Sequence, residues 1–454
     1  MKILIVGAGK VGYTCTAQLS REGHDITLVD VRPDVLEKAQ GAYDVIAVTG
    51  NGASLSTLQA AGITDMDVLI AVSNADEVNL LACITAKHLN PHINCIARIR
   101  DPEYVAQAYE MRDEFGLYLV VNPERQAAHE IFQLLKLPGS LTRETFAKAR
   151  MEMIELRVAE GSVLCGKRLS ELENAVHTRV LVCAIERHGE VIIPRGDASL
   201  MAGDRISVTG SSNNLHQMLV HLGIIRKNIR HVLIAGGGRI SYYLASELGR
   251  SGMTANIIES DASRCEELAD LLPAATVVHG DASSQAFLET EDLTDYDAVV
   301  SCTGIDELNI VISMYASMCH VPLTITKLGR GDSSRILDSL PVGPTVCPKD
   351  LCTTHIVRYV RAMEHSSGLS ALSVHKIASG NAEVLEFVVD ENTKHIGEKL
   401  KDMPIQKNVL IASISSGRTT EIAHGDMTFH AGDTVVIVAA SDHVIGTLND
   451  IFGE

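Results

Sequence analysis

A chain of 454 residues with 57 acidic against 39 basic side chains carries a net charge of -18, a field that repels nucleic acid and anionic lipid surfaces and so excludes a nucleic-acid-binding role. With 46% hydrophobic and 21% charged residues it is an ordinary globular protein, too long for one core. Its longest apolar runs, such as 68–72 and 435–440, are strand-sized and far short of the roughly 20 residues of a membrane helix.

The N-terminus has one Lys and five apolar residues before Gly7, which predicts a buried strand entering a turn rather than a cleavable leader, and hence a cytoplasmic protein. Apolar runs at 3–6, 25–29, 45–49, 68–72, 95–98 and 118–121 alternate with helix-like stretches, the pattern of a parallel sheet covered on both faces. An amphipathic helix follows at 125–137, expected to bridge domains or subunits, and then a β-rich segment to about 222 with strands at 180–185 and 205–209 and Gly-Asp turns. The series then repeats: strands at 231–235, 255–258, 276–278, 298–302 and 323–327, a helix at 351–364 and a second β-rich segment. Gly7 and Gly9 return as Gly236 and Gly238, Asp30 as Glu259, and Ala202-Gly203-Asp204 as Ala431-Gly432-Asp433, all 229 positions on. The expected fold is therefore α/β: two doubly wound, Rossmann-like parallel-sheet domains (1–124 and 228–348), each followed by a small α+β domain (140–224 and 368–454). The ten cysteines show no paired framework, and Cys83, Cys95, Cys183 and Cys302 fall in strand or helix patterns, as expected of reduced, buried thiols.

Gly7-Ala8-Gly9-Lys10-Val11-Gly12 is a full GxGxxG that follows an apolar strand and opens a helix. The first glycine makes the turn, the second admits a pyrophosphate and the third lets helix and strand pack closely. Asp30 ends the next strand, where a carboxylate accepts the ribose hydroxyls and repels a 2′-phosphate, so NAD, NADH or an adenine nucleotide is expected rather than NADP, with Arg32 flanking the adenine. Gly50-Asn51, Ser73-Asn74 and Arg98 lie at carboxyl ends of strands, where such sheets bind ligands, and Arg98 is suited to a phosphate. The plain alternative for Ser73, Asn74 and Arg98 is turn and surface chemistry. In the second copy, Gly236-Gly237-Gly238-Arg239-Ile240-Ser241 has Ser for the third glycine, Glu259 supplies the acid, Gly280-Asp281 and Thr303-Gly304 repeat the crevice positions, and Lys327 replaces Arg98.

Other chemistry-bearing residues read as structural. His24, His129, His177 and His355 lie in no triad or zinc spacing, and Cys347, Cys352 and His355 lack a second pair of ligands. Asp76-Glu77-x-Asn79 returns as Asp306-Glu307-x-Asn309, and capping of the following helix suffices for both.

The GAGKVG turn, Asp30, the ADEVN and GIDELN repeats, the RIRDPEY segment at 98–104 and the two Ala-Gly-Asp domains together resemble the RCK (KTN) family, over nearly the full length. The tandem order of nucleotide domain, small domain, nucleotide domain, small domain is similar to the TrkA-type peripheral subunits of Trk potassium uptake systems. That resemblance implies a homo-oligomeric ring, dimer or tetramer, peripheral on the cytoplasmic side of the membrane. The ring would dock on a membrane-embedded potassium-translocating subunit of TrkH/TrkG type and gate it through NAD(H), ATP or ADP. It implies no catalysis. The alternative is an NAD-dependent oxidoreductase, which needs an acid, base or metal beside the nicotinamide, and the small domains carry no recognisable set.

Overall fold

The computed structural model describes residues 1–112, 114–136, 143–146, 150–224, 229–329, 340–364, 373–378, 381–417, 419–440 and 445–453. The expected domain limits at 140, 228, 368 and 454 and the helix end at Leu137 lie outside the described residues. The chain divides into two units, Met1–Ile131 with His231–Val360, and Phe132–Arg230 with Arg361–Glu454. The duplication thus folds like with like: the two parallel sheets share one unit and the two small domains share the other.

In the first unit, β1 (Lys2–Val6), β2 (Asp25–Asp30), β3 (Ile46–Thr49), β4 (Val68–Ala71), β5 (Asn94–Arg98) and β6 (Leu117–Val121) form a parallel sheet in the order β3-β2-β1-β4-β5-β6. Helices cover both faces, so the central strands are wholly apolar; Ile3, Leu4, Ile5, Leu69 and Ile70 have no exposed surface. The order reverses between β1 and β4, which opens a crevice at their carboxyl ends.

The second copy matches this sheet strand for strand, with the small-domain strands β7 (Arg143–Phe146), β8 (Met151–Arg157), β9 (Leu181–Arg187), β10 (Glu190–Ile192) and β11 (Arg205–Gly210) intervening in sequence. Its strands β12 (His231–Ala235), β13 (Thr254–Glu259), β14 (Ala275–His279), β15 (Ala298–Ser301), β16 (Leu323–Lys327) and β17 (Thr345–Val346) run in the order β14-β13-β12-β15-β16-β17. The sixth strand was not expected from the sequence. It is two residues long because Pro344 precedes it and Pro348 opens the next helix.

The amphipathic helices are Pro123–Lys136 and Pro348–Glu364, which bury Ala127, Ala128 and Ile131 on one and Cys352, Ile356 and Val360 on the other. Gln126 and His355, equivalent positions of the repeat, bond to each other, so the two copies meet at matched positions of these helices. Burial, aided by Arg358, lowers the His355 pKa, and the neutral ring suits an amide partner.

In the second unit, β7 to β11 form an antiparallel sheet in the order β10-β9-β11-β8-β7. The strands β18 (Ser373–Ile377), β19 (Ala382–Val388), β20 (Val409–Ser416), β21 (Thr419–Ile422) and β22 (Thr434–Ala440) repeat that topology as β18-β19-β22-β20-β21. Phe146, Met153, Cys183 and Ala184 from the first small domain and Ala382, Val384, Val436 and Val438 from the second build one shared core. The first small domain carries the helix Ser212–His221, whereas the described residues at the matching place in the second hold the 3₁₀ turn Leu448–Ile451 beyond Gly446.

The Ala-Gly-Asp repeats are structural turns. Gly203 and Gly432 take φ +88° and +90°, a left-handed conformation that glycine adopts without a Cβ penalty. The buried Asp204 accepts hydrogen bonds from Arg187 Nε at 2.8 Å, Arg187 Nη2 at 2.7 Å and the Met201 N–H at 2.7 Å. Asp433 accepts from Ser416 Oγ at 2.7 Å and the His430 N–H at 2.8 Å. Burial alone would raise the Asp204 pKa, but the Arg187 and Met201 hydrogen bonds outweigh it and lower the pKa. A depressed folded-state pKa contributes stability above the ordinary carboxyl range that is lost as pH falls through the lowered value. In urea unfolding of the full chain between pH 7 and pH 3, the wild-type midpoint is expected to drop below about pH 4, whereas Asp204→Asn starts lower and changes less over that range.

Candidate functional site

Both glycine turns follow from one requirement, that a strand must turn into a helix beside the next strand end without filling the space a ligand needs. Gly7 takes φ +100°, and a Cβ there would lie 2.8 Å from the Ser73 backbone. A Cβ on Gly12 would meet the Gly7 carbonyl at 1.8 Å, so only glycine lets the helix Lys10–Arg21 sit this close to the turn. Gly9 differs, since a Cβ there meets nothing within 4 Å. Gly9 is also the N-cap, and no side chain caps the helix, so its first N–H groups face the open crevice. Val11 is buried, while Lys10 is exposed at the start of the helix.

The Asp30 carboxylate accepts the Ala8 N–H at 2.7 Å and the Arg32 N–H at 2.9 Å. A carboxylate offers about four lone-pair sites, so the bonds that brace the turn leave room for a pair of hydroxyl donors. Arg32, expected to flank an adenine, lies 3.5 Å from Asp30 with its side chain largely exposed. Gly50 donates its N–H to the Asp30 carbonyl at 2.9 Å and abuts Thr57, which makes it a packing residue, and the Asn51 side chain closes a local turn onto the Ala53 N–H at 3.0 Å.

The crevice wall is held by residues read above as helix caps. Ala75 is the N-cap of the helix Asp76–Leu89, and no side chain caps it. Asn79, fully buried, accepts the Ser73 N–H at 2.8 Å and donates to the Ser73 carbonyl at 3.2 Å and the Arg98 carbonyl at 2.8 Å. Asp76 accepts the N–H groups of Arg100 at 2.8 Å and Asp101 at 2.9 Å and pairs with Arg100 Nε at 3.4 Å. These side chains tie the end of β4 to the end of β5. Arg98, 8% exposed, donates from Nη2 to the Asn74 Oδ1 at 3.3 Å, and its Nε has no hydrogen-bond partner. Burial and then the neighbouring Arg100 lower the Arg98 pKa.

The second crevice repeats this plan with compensated changes. Gly236 takes φ +100°, Gly238 faces open space, and the helix Arg239–Arg250 is likewise uncapped. Arg239 is exposed at the rim, and Ile240 is buried. Ser241, in the place of Gly12, is fully buried and donates its hydroxyl to the Gly236 carbonyl. Glu259 accepts the Gly237 N–H at 2.7 Å, and a Cβ on Gly237 would crowd that carboxylate at 2.8 Å. The longer acid therefore needs a glycine where Ala8 stands in the first copy. Burial would raise the Glu259 pKa, but N–H bonds from Asp261 and Gly237 prevail and lower it. A Cβ on Gly280 would strike the Phe287 ring, and Asp281 holds the Ser283 N–H at 2.8 Å. Asn309 grips Thr303 and the Lys327 carbonyl as Asn79 grips its partners, and Asp306 accepts the Gly329 N–H at 2.8 Å. Cys352 is buried, His355 is half-buried and bonded to Gln126, and no group able to hold a metal occurs among the described residues.

Two crevices of this kind, each followed by a small antiparallel domain, define a tandem Rossmann-type protein. Residues 3–123 and 232–348 match the TrkA-N domain, and 153–223 and 384–453 match the TrkA-C domain. The chain belongs to the TrkA family. It is 31% identical to a Trk system potassium uptake protein TrkA homolog of Archaeoglobus fulgidus, over 98% of each chain. It is 30% identical to the Trk system potassium uptake protein TrkA of Halomonas elongata, over 100% of this chain and 98% of the relative. The solved GsuK channel bound to NAD shares the fold at 16% identity and a TM-score of 0.63, over 97% of this chain and 77% of that one.

Removing the buried amide orphans several backbone groups, so Asn79→Ala is expected to lower stability by about 2 kcal/mol in urea unfolding. Asn51→Ala, which loses only an exposed turn bond, is expected to stay within about 0.5 kcal/mol of wild type in the same measurement.

Proposed function

We propose that this protein is a nucleotide-sensing regulatory subunit of a potassium uptake system, assembled as a ring on the cytoplasmic face of a membrane-embedded translocating subunit of TrkH/TrkG type. The observation that carries the reading is the pair of open, uncapped glycine turns beside a carboxylate, in a family whose named members are potassium uptake proteins. No helix among the described residues is long and apolar enough to cross a membrane, so a translocating pore would come from a separate chain.

The residues fit a nucleotide. Gly9, Lys10 and the uncapped helix N-terminus would take its phosphates, Asp30 its ribose hydroxyls, and Arg98 the remaining charge beside Ser73 and Asn74. Gly238, Arg239 and Glu259 would do the same in the second copy, beside Thr303. NAD, NADH, ATP and ADP all present this diphosphate and ribose, and what they supply is binding free energy rather than chemistry. The working parts are the four domains 1–124, 140–224, 228–348 and 368–454.

A ligand moves such a ring only through a difference in affinity between two shapes. The sheet pair contains an element able to carry that difference. Tyr243, on the helix opened by the second glycine turn, donates to the Arg100 carbonyl at 3.2 Å, and Asn122 Nδ2 donates to the same carbonyl at 3.2 Å. The N–H of Arg100 is held by Asp76 in the first crevice. A shift of the first crevice wall therefore strains a bond to the second turn.

Calorimetric titration with NAD, NADH, ATP and ADP tests the reading. Asp30→Ala and Glu259→Ala are each expected to weaken one class of sites about tenfold or more, roughly 1.4 kcal/mol. Potassium flux through proteoliposomes holding the translocating subunit is expected to change on adding nucleotide with wild-type protein and to respond less with Asp30→Ala. Identical flux with and without nucleotide would overturn the proposal.

A further inference from the structure

The first small domain carries a cavity that lies apart from both glycine turns. It sits between the C-terminal ends of the helices Leu172–Val176 and Ser212–His221, opens to solvent and has a volume of about 400 Å³. Its lining is Val176, His177, His216, Gln217, Val220 and His221. His177 closes the first of these helices at φ +53°, the left-handed conformation that glycine takes at least cost, so a side chain is kept where its loss would ease the backbone. Its ring meets that of His221 edge-on, with centroids 4.6 Å apart.

The lining is rich in donors and free of acids. An imidazole carries one N–H when neutral and two when protonated, and the Gln217 amide adds two more. Among the described residues no carboxylate lines the cavity, in a chain whose net charge is -18, and no hydrogen bond engages any of the three rings. Glu173 and Arg179 flank His177 in sequence, and neither lines the cavity. The carbonyls of Met218, Leu219 and Val220 at the end of the second helix are already taken by the N–H groups of Leu222, Ile224 and Gly223, while the helix end itself favours a positive charge on His221.

The cavity is particular to the first copy. At the repeat interval of 229 residues, His177, His216 and His221 are answered by Gln406, Ile445 and Asp450. There Gln406 Nε2 donates to the Asp450 carbonyl at 3.0 Å and the Phe452 carbonyl at 3.3 Å, so the positions that face each other as two imidazoles in the first small domain are hydrogen-bonded together in the second. The domain fold therefore does not require the histidines.

We infer that this cavity binds a small organic anion, its carboxylate or phosphate head held by the three histidines and Gln217 and its apolar body laid against Val176 and Val220. Binding is linked to protons. Histidine ordinarily titrates between pH 5 and 8, and each proton gained adds a donor and a positive charge, so affinity rises as pH falls. The first small domain thereby has an input separate from the glycine-turn crevices.

Calorimetric titration of the full-length chain with benzoate and with phenyl phosphate, which share a planar body and differ in head group, tests this at pH 8 and pH 6. Benzoate stays ionised over that range, so a gain in its affinity comes from the protein. Wild type is expected to bind at least one probe about fivefold or more tighter at pH 6 than at pH 8, and the tighter of the two identifies the head group. His177→Gly, which suits the left-handed backbone, and His221→Gln, at an exposed position, should leave the fold intact. The double variant is expected to lose the pH dependence and about tenfold in affinity at pH 6. Binding of neither probe at pH 6, equal affinity at the two pH values, or a double variant that binds as wild type does would overturn the inference.

Discussion

A buried amide that bonds across two strand ends is the constraint on which the rest of this molecule depends. The carboxyl ends of parallel strands expose N–H and C=O groups that a crevice cannot bury without partners and cannot cover without closing. Asn79 resolves the conflict from beneath, gripping both groups of Ser73 and the carbonyl of Arg98 while staying out of the crevice itself. Asp76 likewise accepts the N–H groups of Arg100 and Asp101. The main-chain groups of the wall are thereby satisfied from below. Asn309 and Asp306 repeat the arrangement in the second copy, and the same logic accounts for both crevices.

Given that wall, the glycine turns were free to diverge only in matched pairs. The Glu259 carboxylate accepts the turn N–H at the same 2.7 Å as that of Asp30, and where Ala8 stands in the first copy the second has Gly237, on which a Cβ would crowd the acid at 2.8 Å. Replacing Gly12 by Ser241 puts a side chain where the first copy has none, and the new hydroxyl is satisfied by the carbonyl that a Cβ would have struck in the first copy. Neither substitution reads as decay. Each keeps the second glycine facing open space, which is the feature a ligand requires.

The sequence made the repeat, the turns, the acids and most of the parallel strands legible, because these are local patterns with a fixed period or spacing. It misled where a side chain near a helix start works at a distance. An Asp and an Asn in the first turn of a helix suit capping, yet Asp76 and Asn79 reach across to a strand that follows about 20 residues later in sequence. Arg187 pairing with Asp204 and Tyr243 reaching Arg100 join residues from different elements, and no periodicity announces such contacts. The pairing of like domains into shared units was invisible for the same reason, since a tandem repeat is equally compatible with folding in chain order.

That pairing is what gives two crevices on one chain a means of acting together. Had each sheet packed against its own small domain, nucleotide binding in one copy would have met the other only through linkers, which transmit little. With the sheets in one unit, Arg100 is held at its N–H by the first crevice wall and at its carbonyl by Asn122 and by Tyr243, on the helix that starts at the second turn. In the proposed sensor that bond would couple the two crevices by whatever free energy it gains or loses when either end moves, and the coupling would be reciprocal. The Arg100 carbonyl is where the main chain of the first crevice wall meets the helix that starts at the second turn.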